Sequence, residues 1–162
     1  MWYDLAEGAG RGGQSIERSL ERLGAFLQEM VDDYPIDPAQ VYLGGFSQGA
    51  AMAGALALSE PQRVAGTIMI SGYLPPPAPE TPYDLAGAKG KPFFQAHGTA
   101  DTVVLPDWAR QTRDFLRSVP VDLTYREYPI AHEVSVEELA DLASWLDRRL
   151  ATATRPSSPR SL

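Results

Sequence analysis

The chain reads as an α/β protein in which a mostly parallel sheet is covered by helices. Three observations predict it. Short apolar runs without alternation recur along the chain, as expected of strands covered on both faces. Stretches with apolar residues at helical spacing fall between them. The resulting order of strand, helix, strand, loop, strand, helix, strand, helix belongs to a parallel sheet with crossover connections. At 162 residues the chain has the length of one domain, and 44% hydrophobic with 22% charged residues is ordinary globular composition.

The elements follow in order. Residues 7–14 form a Gly-rich loop. Ile16, Leu20, Leu23, Leu27, Met30 and Val31 then recur at helical spacing, with Ser15 as a candidate cap and Pro35 as a stop, which predicts an amphipathic helix over 15–33. Asp37-Pro38 has the form of a cap followed by proline in the first turn of a short helix. Val41-Tyr42-Leu43-Gly44-Gly45-Phe46 predicts a buried strand. Residues 48–59 predict a helix rich in Ala and Gly, whose small side chains let it lie close to a sheet.

A second buried strand is expected over 66–70. Residues 72–91, rich in Pro and Gly, read as a surface excursion. Residues 92–96 predict a third strand, and 106–118 a helix carrying Trp108, Phe115 and Leu116. Val121, Leu123 and Tyr125 alternate with polar residues, so the fourth strand belongs nearer a sheet edge. Ser135-Val136-Glu137-Glu138 is a capping-box signature opening a helix to about residue 150. The expected domain is 1–150, with 151–162 a disordered tail.

Composition removes several classes of function. Fourteen Lys and Arg stand against 21 Asp and Glu, a net charge of −7. That leaves no basic surface to neutralise nucleic-acid phosphates. There is no cysteine, so thiol catalysis, disulfides and zinc-thiolate sites are excluded. Only His97 and His132 could serve a His-based metal site, and neither a metal nor a cofactor is expected. No apolar run approaches the ~18 residues of a membrane span. The opening Met1-Trp2-Tyr3-Asp4-Leu5 runs into polar and Gly residues, unlike a leader. A cytoplasmic protein without stable membrane insertion is expected.

Chemistry gathers at the carboxyl ends of strands in parallel sheets. Gly45-Phe46-Ser47-Gln48-Gly49 fits Gly-x-Ser-x-Gly between a strand and a helix. There a tight turn pushes the Ser oxygen out above the sheet, and bulky neighbours two residues away would clash. A serine nucleophile needs a base for its proton and an acid to hold the base. Asp101 lies in His97-Gly98-Thr99-Ala100-Asp101-Thr102-Val103-Val104 after the third strand. His132 lies in Pro129-Ile130-Ala131-His132-Glu133 after the fourth. Ser47, Asp101 and His132 thus follow the order nucleophile, acid, histidine. Four competing assignments exist. Asp101 could simply cap a turn. His97 is a rival base, but so near Asp101 it reads as a residue hydrogen-bonding that loop. Asp107 is a rival acid that reads as helix N-terminal charge. Glu133 reads as solvated.

Together with Trp2-Tyr3-Asp4 and Ser71-Gly72-Tyr73-Leu74-Pro75, these segments resemble the phospholipase/carboxylesterase family of α/β-hydrolases, which includes acyl-protein thioesterases and small bacterial carboxylesterases. The bacterial branch is the nearer. The resemblance extends to about residue 150. It implies a three-layer α/β-hydrolase fold, here about four strands with flanking helices. It also implies a cofactor-free hydrolase of carboxylic esters or thioesters, with Ser47 as nucleophile, Asp101 as acid and His132 as base. The Gln48 backbone N–H is then an oxyanion donor, and Tyr73 and Leu74 line one side of the acyl pocket.

The resemblance also has departures. In relatives Trp-Tyr-Asp follows opening strands and a His-Gly loop that supplies a second oxyanion donor. By that measure this sequence corresponds to the C-terminal part of the fold. Ala50 and Ala131 stand where relatives carry Gly. Losing one oxyanion donor typically removes ~10²–10³ in turnover, and strand 41–46 becomes an open edge. The expected substrate is a small acyl ester, short-chain first, with lysophospholipids or acyl-thioesters behind. Self-association through strand 41–46 is expected as well. The competing readings are an attenuated or inactive fragment, and an interaction module completed by a second chain.

Overall fold

The computed structural model describes residues 12–77 and 79–153. The elements run α1 (Gly12–Asp33), a 3-10 turn (Pro38–Gln40), β1 (Tyr42–Phe46), α2 (Gln48–Ser59) and a second 3-10 turn (Pro61–Arg63). They continue with β2 (Gly66–Ile70), β3 (Pro92–Gly98), α3 (Pro106–Ser118), β4 (Asp122–Tyr128) and α4 (Val136–Ala153). The strands form one parallel sheet in the order β1-β2-β3-β4.

That order dictates the layers. Parallel crossovers are right-handed, so three successive crossovers stepping the same way put their connections on one face. Buried Leu58, Met69, Phe93 and Leu116 pack together on that face, joined by Tyr83 and Leu85 from the β2–β3 connection. Residues 50–58 of α2 are all buried, and α1 covers α2 in turn through Leu20, Met52 and Leu56. Among the described residues the helix beyond the last strand covers the opposite face. There α4 packs Trp145 against Phe94 and Tyr42, among Ile68, Ile70 and Tyr128. No helix among the described residues is long and apolar enough to cross a membrane.

Burial follows position in the sheet. Every residue of β2 is buried, as is β3 beyond Pro92, while the outer strands β1 and β4 are partly open. β4 is an edge, as its alternation predicts. β1 is the other edge among the described residues, with Gly44 and Phe46 exposed.

Several boundaries differ from the sequence reading. α1 begins at Gly12, so Ser15 lies inside the helix and residues 12–14 are not loop. Residues 7–11 of the expected loop lie outside the described residues, as do Trp2-Tyr3-Asp4 and 154–162 of the expected tail. α4 continues to Ala153, so 151–153 are helical. β3 runs two residues further than expected, making His97 and Gly98 part of the strand. The 72–91 segment is not merely superficial: Pro75 and Ala88 are buried, and the Tyr83 hydroxyl donates to the Pro75 carbonyl.

Two caps behave as the sequence suggests. The Asp37 carboxylate accepts the Ala39 N–H at 3.0 Å, and Ser135 Oγ accepts the Glu138 N–H at 3.0 Å. The second half of the capping box is not made. The Glu138 side chain turns inward, 1% exposed, and neither carboxyl oxygen has a partner among the described residues. Burial raises its pKa above the ordinary 4.5, against a smaller lowering by the nearby Ser135 backbone N–H, whose approach falls short of a well-formed bond. A carboxyl whose folded pKa is raised contributes stability below its unfolded pKa, and that contribution is lost as pH rises through the folded value. Glu138→Gln is therefore expected to raise the denaturation midpoint near neutral pH and to gain less near pH ~4. Urea melts at both pH values measure this; a variant less stable than wild type near neutrality would contradict it.

Candidate active site

The chain leaves the sheet abruptly after β1. Phe46 pairs with Ile70, and the Ser47 N–H donates to the Ile70 carbonyl at 2.9 Å. α2 starts at the next residue. Ser47 therefore turns the chain alone, at φ 55° and ψ −119°. A non-glycine residue held at positive φ costs on the order of 1–3 kcal/mol. Its carbonyl accepts the first helical N–H groups, from Ala50 at 3.0 Å and Ala51 at 3.2 Å. Serine at this position usually caps the helix with its hydroxyl; here the hydroxyl makes no capping bond.

The two glycines around Ser47 are not equivalent. A Cβ at Gly45 would overlap the Gly49 carbonyl group, so close approach demands glycine there. A Cβ at Gly49 would meet nothing within 4 Å. The clash predicted on both sides of the serine exists only on the first, because Gly49 already lies in the open first turn of α2. The tip of β2 supports this turn. Ser71 is also at positive φ, 50°, and is buried, with its N–H donating to the Ala96 carbonyl at 2.9 Å.

Asp101 and His132 are brought together by stitching between two loops. Thr99 N–H donates to Tyr128 O at 2.8 Å and Ala100 N–H to Ile130 O at 3.0 Å. The approach is so close that a Cβ at Gly98 would overlap the carbonyls of Ile130 and Ala131. Gly98 is thus required for the site, a role that its sequence context alone did not reveal. Asp101 Oδ1 accepts the N–H groups of Val103 at 2.8 Å and Val104 at 2.9 Å. Oδ2 lies 2.7 Å from His132 Nδ1. A carboxylate can only accept, so Nδ1 carries the proton and Nε2 is left with its lone pair.

The Asp101 side chain is fully buried. Burial alone would raise its pKa, but the hydrogen bonds from His132, Val104 and Val103 outweigh it and hold the carboxyl below its ordinary range. Asp101 does cap a turn, and does so while also engaging a histidine. His132 is mostly buried, and its ring packs on Phe46 with centroids 4.7 Å apart. This contact sets the imidazole beside the Ser47 turn. No hydrogen bond joins the Ser47 hydroxyl to His132 among the described residues. His97 is buried, with Nε2 2.9 Å from Val104 O, and so bonds the loop as expected. Asp107 lies in the first turn of α3 and pairs with Arg110, and Glu133 is exposed.

Tyr73 and Leu74 face a different feature, a cavity of about 780 Å³. Pro75, Tyr83, Trp108 and Phe115 complete much of its apolar wall. Tyr73 meets Trp108 edge to face at 5.4 Å, and Leu74 N–H donates to Thr112 Oγ1 at 2.8 Å. Neither Ser47, Asp101 nor His132 lines this cavity; the chain joins it to the Ser47 turn through Ser71 and Gly72. The sequence marks Trp108 only as part of a helix; the structure places its ring in the cavity wall near the start of α3.

Residues 1–150 match the phospholipase/carboxylesterase family. Acyl-protein thioesterase 1 of Debaryomyces hansenii is 32% identical over 152 residues, covering 90% of this chain and 66% of that protein. Lysophospholipase-like protein 1 of Mus musculus is 35% identical over 144 residues, with 87% and 59% covered. The chain thus spans less than two thirds of the length of these relatives. Among solved structures, Arabidopsis thaliana SOBER1 superposes with a TM-score of 0.75 at 26% identity, over 92% of this chain and 73% of that one. The Bacillus cereus carboxylesterase shares the fold, with a TM-score of 0.77 at 22% identity over 91% and 67% of the two chains.

The Asp101 geometry has a consequence for stability. A carboxyl with a depressed folded pKa contributes stability above its unfolded pKa and loses it as pH falls through the folded value. Asp101→Asn is expected to cost about 1.5–3 kcal/mol near neutral pH, the range for hydrogen bonds to a charged group. That gap should narrow progressively in acid. Chemical denaturation of both proteins across the acid range measures it; a gap independent of pH would contradict the assignment.

Proposed function

The chain belongs to the phospholipase/carboxylesterase family, and from that premise we propose that it is a serine hydrolase of carboxylic esters. The observation that carries this reading is the pairing of two features. A strained serine sits at a strand–helix junction with its hydroxyl uncommitted to the helix, and a histidine packed on the preceding residue has its Nδ1–H fixed by a buried carboxylate. That is the composition of a nucleophile, its base and the group that orients the base.

In this mechanism Ser47 Oγ attacks the acyl carbonyl while His132 Nε2 takes its proton. Asp101 holds the ring tautomer and stabilises the imidazolium. The oxyanion is met by the Gln48 N–H at the positive end of α2. His132 then protonates the departing alcohol or thiol, and water, activated by the same ring, releases the acid from the acyl-enzyme. The acyl chain occupies the cavity beside Tyr73 and Leu74, whose volume lies in the range of small-molecule sites. Short-chain carboxylic esters are the first substrates to examine, followed by lysophospholipids and acyl-thioesters. Turnover is expected to be weakened where only one oxyanion donor acts.

The edge of β1 favours an accompanying reading, in which the chain pairs with a second copy of itself. Tyr42–Phe46 carries neither charge nor proline, the usual protections of an edge. An antiparallel pair of identical strands about a two-fold axis is self-complementary.

A fluorophosphonate probe tests the hydrolase reading. Wild type is expected to label at Ser47, and Ser47→Ala to lose both labelling and at least ~10³ of its p-nitrophenyl acetate turnover. Labelling that persists in Ser47→Ala would sink the proposal. A folded chain that does not label would point to an inactive fragment, and labelling only with a second polypeptide to complementation. For self-association, Gly44→Lys puts a charge on the open edge where a Cβ has ordinary clearance, 3.5 Å from Ile68. Sedimentation at micromolar concentration should find wild type associated and the variant shifted toward monomer. A monomeric wild type would rule it out.

A further inference from the structure

On β3, Gln95 and His97 share one face of the sheet. Gln95 donates to the Ala109 carbonyl of α3 at 2.7 Å. His97 is 1% exposed and reaches no partner on α3. Its Nε2 instead lies 2.9 Å from the Val104 carbonyl and 3.3 Å from Asp101 Oδ2. Both neighbours are acceptors only, so the proton is on Nε2; it is donated to the Val104 carbonyl, and Asp101 Oδ2 is a second, longer contact. Nδ1 has no partner among the described residues.

Asp101 is therefore held on every side. Oδ1 takes two backbone N–H groups, and Oδ2 lies between two imidazoles, His132 at 2.7 Å and His97 at 3.3 Å. These histidines are the titratable groups against the carboxylate, one from β3 and one from the loop after β4. We propose that His97 is a positioning residue for the reaction. Its Nε2–H, bonded to the Val104 carbonyl and 3.3 Å from Oδ2, fixes the rotation of the Asp101 carboxylate so that Oδ2 meets the His132 Nδ1–H, and it draws part of the carboxylate's charge away from that bond. The inference rests on Ser47, Asp101 and His132 acting as proposed above.

A purely structural histidine would pin the 101–104 loop through Val104 O and do nothing more. The two roles separate when the donor is removed and then restored. His97→Leu keeps bulk and loses the N–H, whereas His97→Gln returns an amide N–H near the Nε2 position. Without the donor, more of the Asp101 charge falls on His132. The imidazolium is then favoured, and the base form is lost at higher pH.

His97→Leu is accordingly expected to lower kcat on p-nitrophenyl acetate about tenfold with KM unchanged, the scale of one hydrogen bond to a charged group. The acid limb of its kcat/KM profile should move to higher pH, and His97→Gln should recover most of both. A folded His97→Leu protein with an unmoved acid limb overturns the proposal, as does a kcat loss that glutamine fails to recover. Should the leucine variant not fold, His97→Asn, whose amide is too short to reach Asp101, takes its place beside glutamine. The downfield proton resonance of His132 Nδ1–H supplies a readout that needs no turnover. It should shift in the donor-less variant and return with glutamine, and an unchanged resonance counts against His97 even where activity is absent. Loss of all Ser47-dependent turnover in wild type with that shift intact would instead sink the hydrolase reading and leave the Asp101 coupling standing.

Discussion

The carboxylate of Asp101 is the interaction on which the site depends. A buried charge is tolerable only when its lone pairs are met, and here they are met from its own loop and from the loop after β4, with His97 of β3 as a longer contact. Satisfying one ion thus fixes two loops against each other. The backbone bonds from Thr99 to Tyr128 and from Ala100 to Ile130 run alongside it. The same contacts that make the charge bearable give the histidine a single tautomer, so the stability of the loops and the orientation of the ring have a common origin.

The sheet supplies the other half of the arrangement. Parallel pairing brings all carboxyl ends to one side, and the serine, aspartate and histidine segments each follow a different strand there. Backbone strain is confined to the same end. The two non-glycine residues with positive φ among those described are Ser47 and Ser71, at the tips of neighbouring strands. Each is anchored by its N–H to the next strand, Ser47 to Ile70 and Ser71 to Ala96. Strain of this kind persists only where the surroundings fix the backbone, and a fully buried β2 between two partners provides that.

Much of this was legible in the sequence because the signals were local. Unalternating apolar runs located β1 to β3, and the alternating Val121–Tyr125 stretch placed β4 at an edge. The order Ser47, Asp101, His132 along the chain singled out three segments that the parallel sheet brings to one end, since each follows a different strand. What was missed depended on contacts between distant segments. Nothing in His-Gly-Thr indicates that Gly98 faces the carbonyl of Ala131 across the sheet, and nothing in Glu138 indicates that it turns inward once Ser135 has taken its N–H. The proline-rich stretch looked superficial because it lacks periodicity, yet its anchors, Tyr83 and Leu85, bury by packing on β3 and α3 and not through any repeat of their own.

That stretch also gives the cavity a chemical direction. Pro75, Pro76 and Pro77 follow one another along its wall, and proline has a carbonyl but no amide hydrogen. The Pro75 oxygen is already occupied by the Tyr83 hydroxyl. This run of the wall therefore presents no backbone donor to a guest, and the donors that the cavity does hold belong to side chains such as Trp108 and Gln111 on α3.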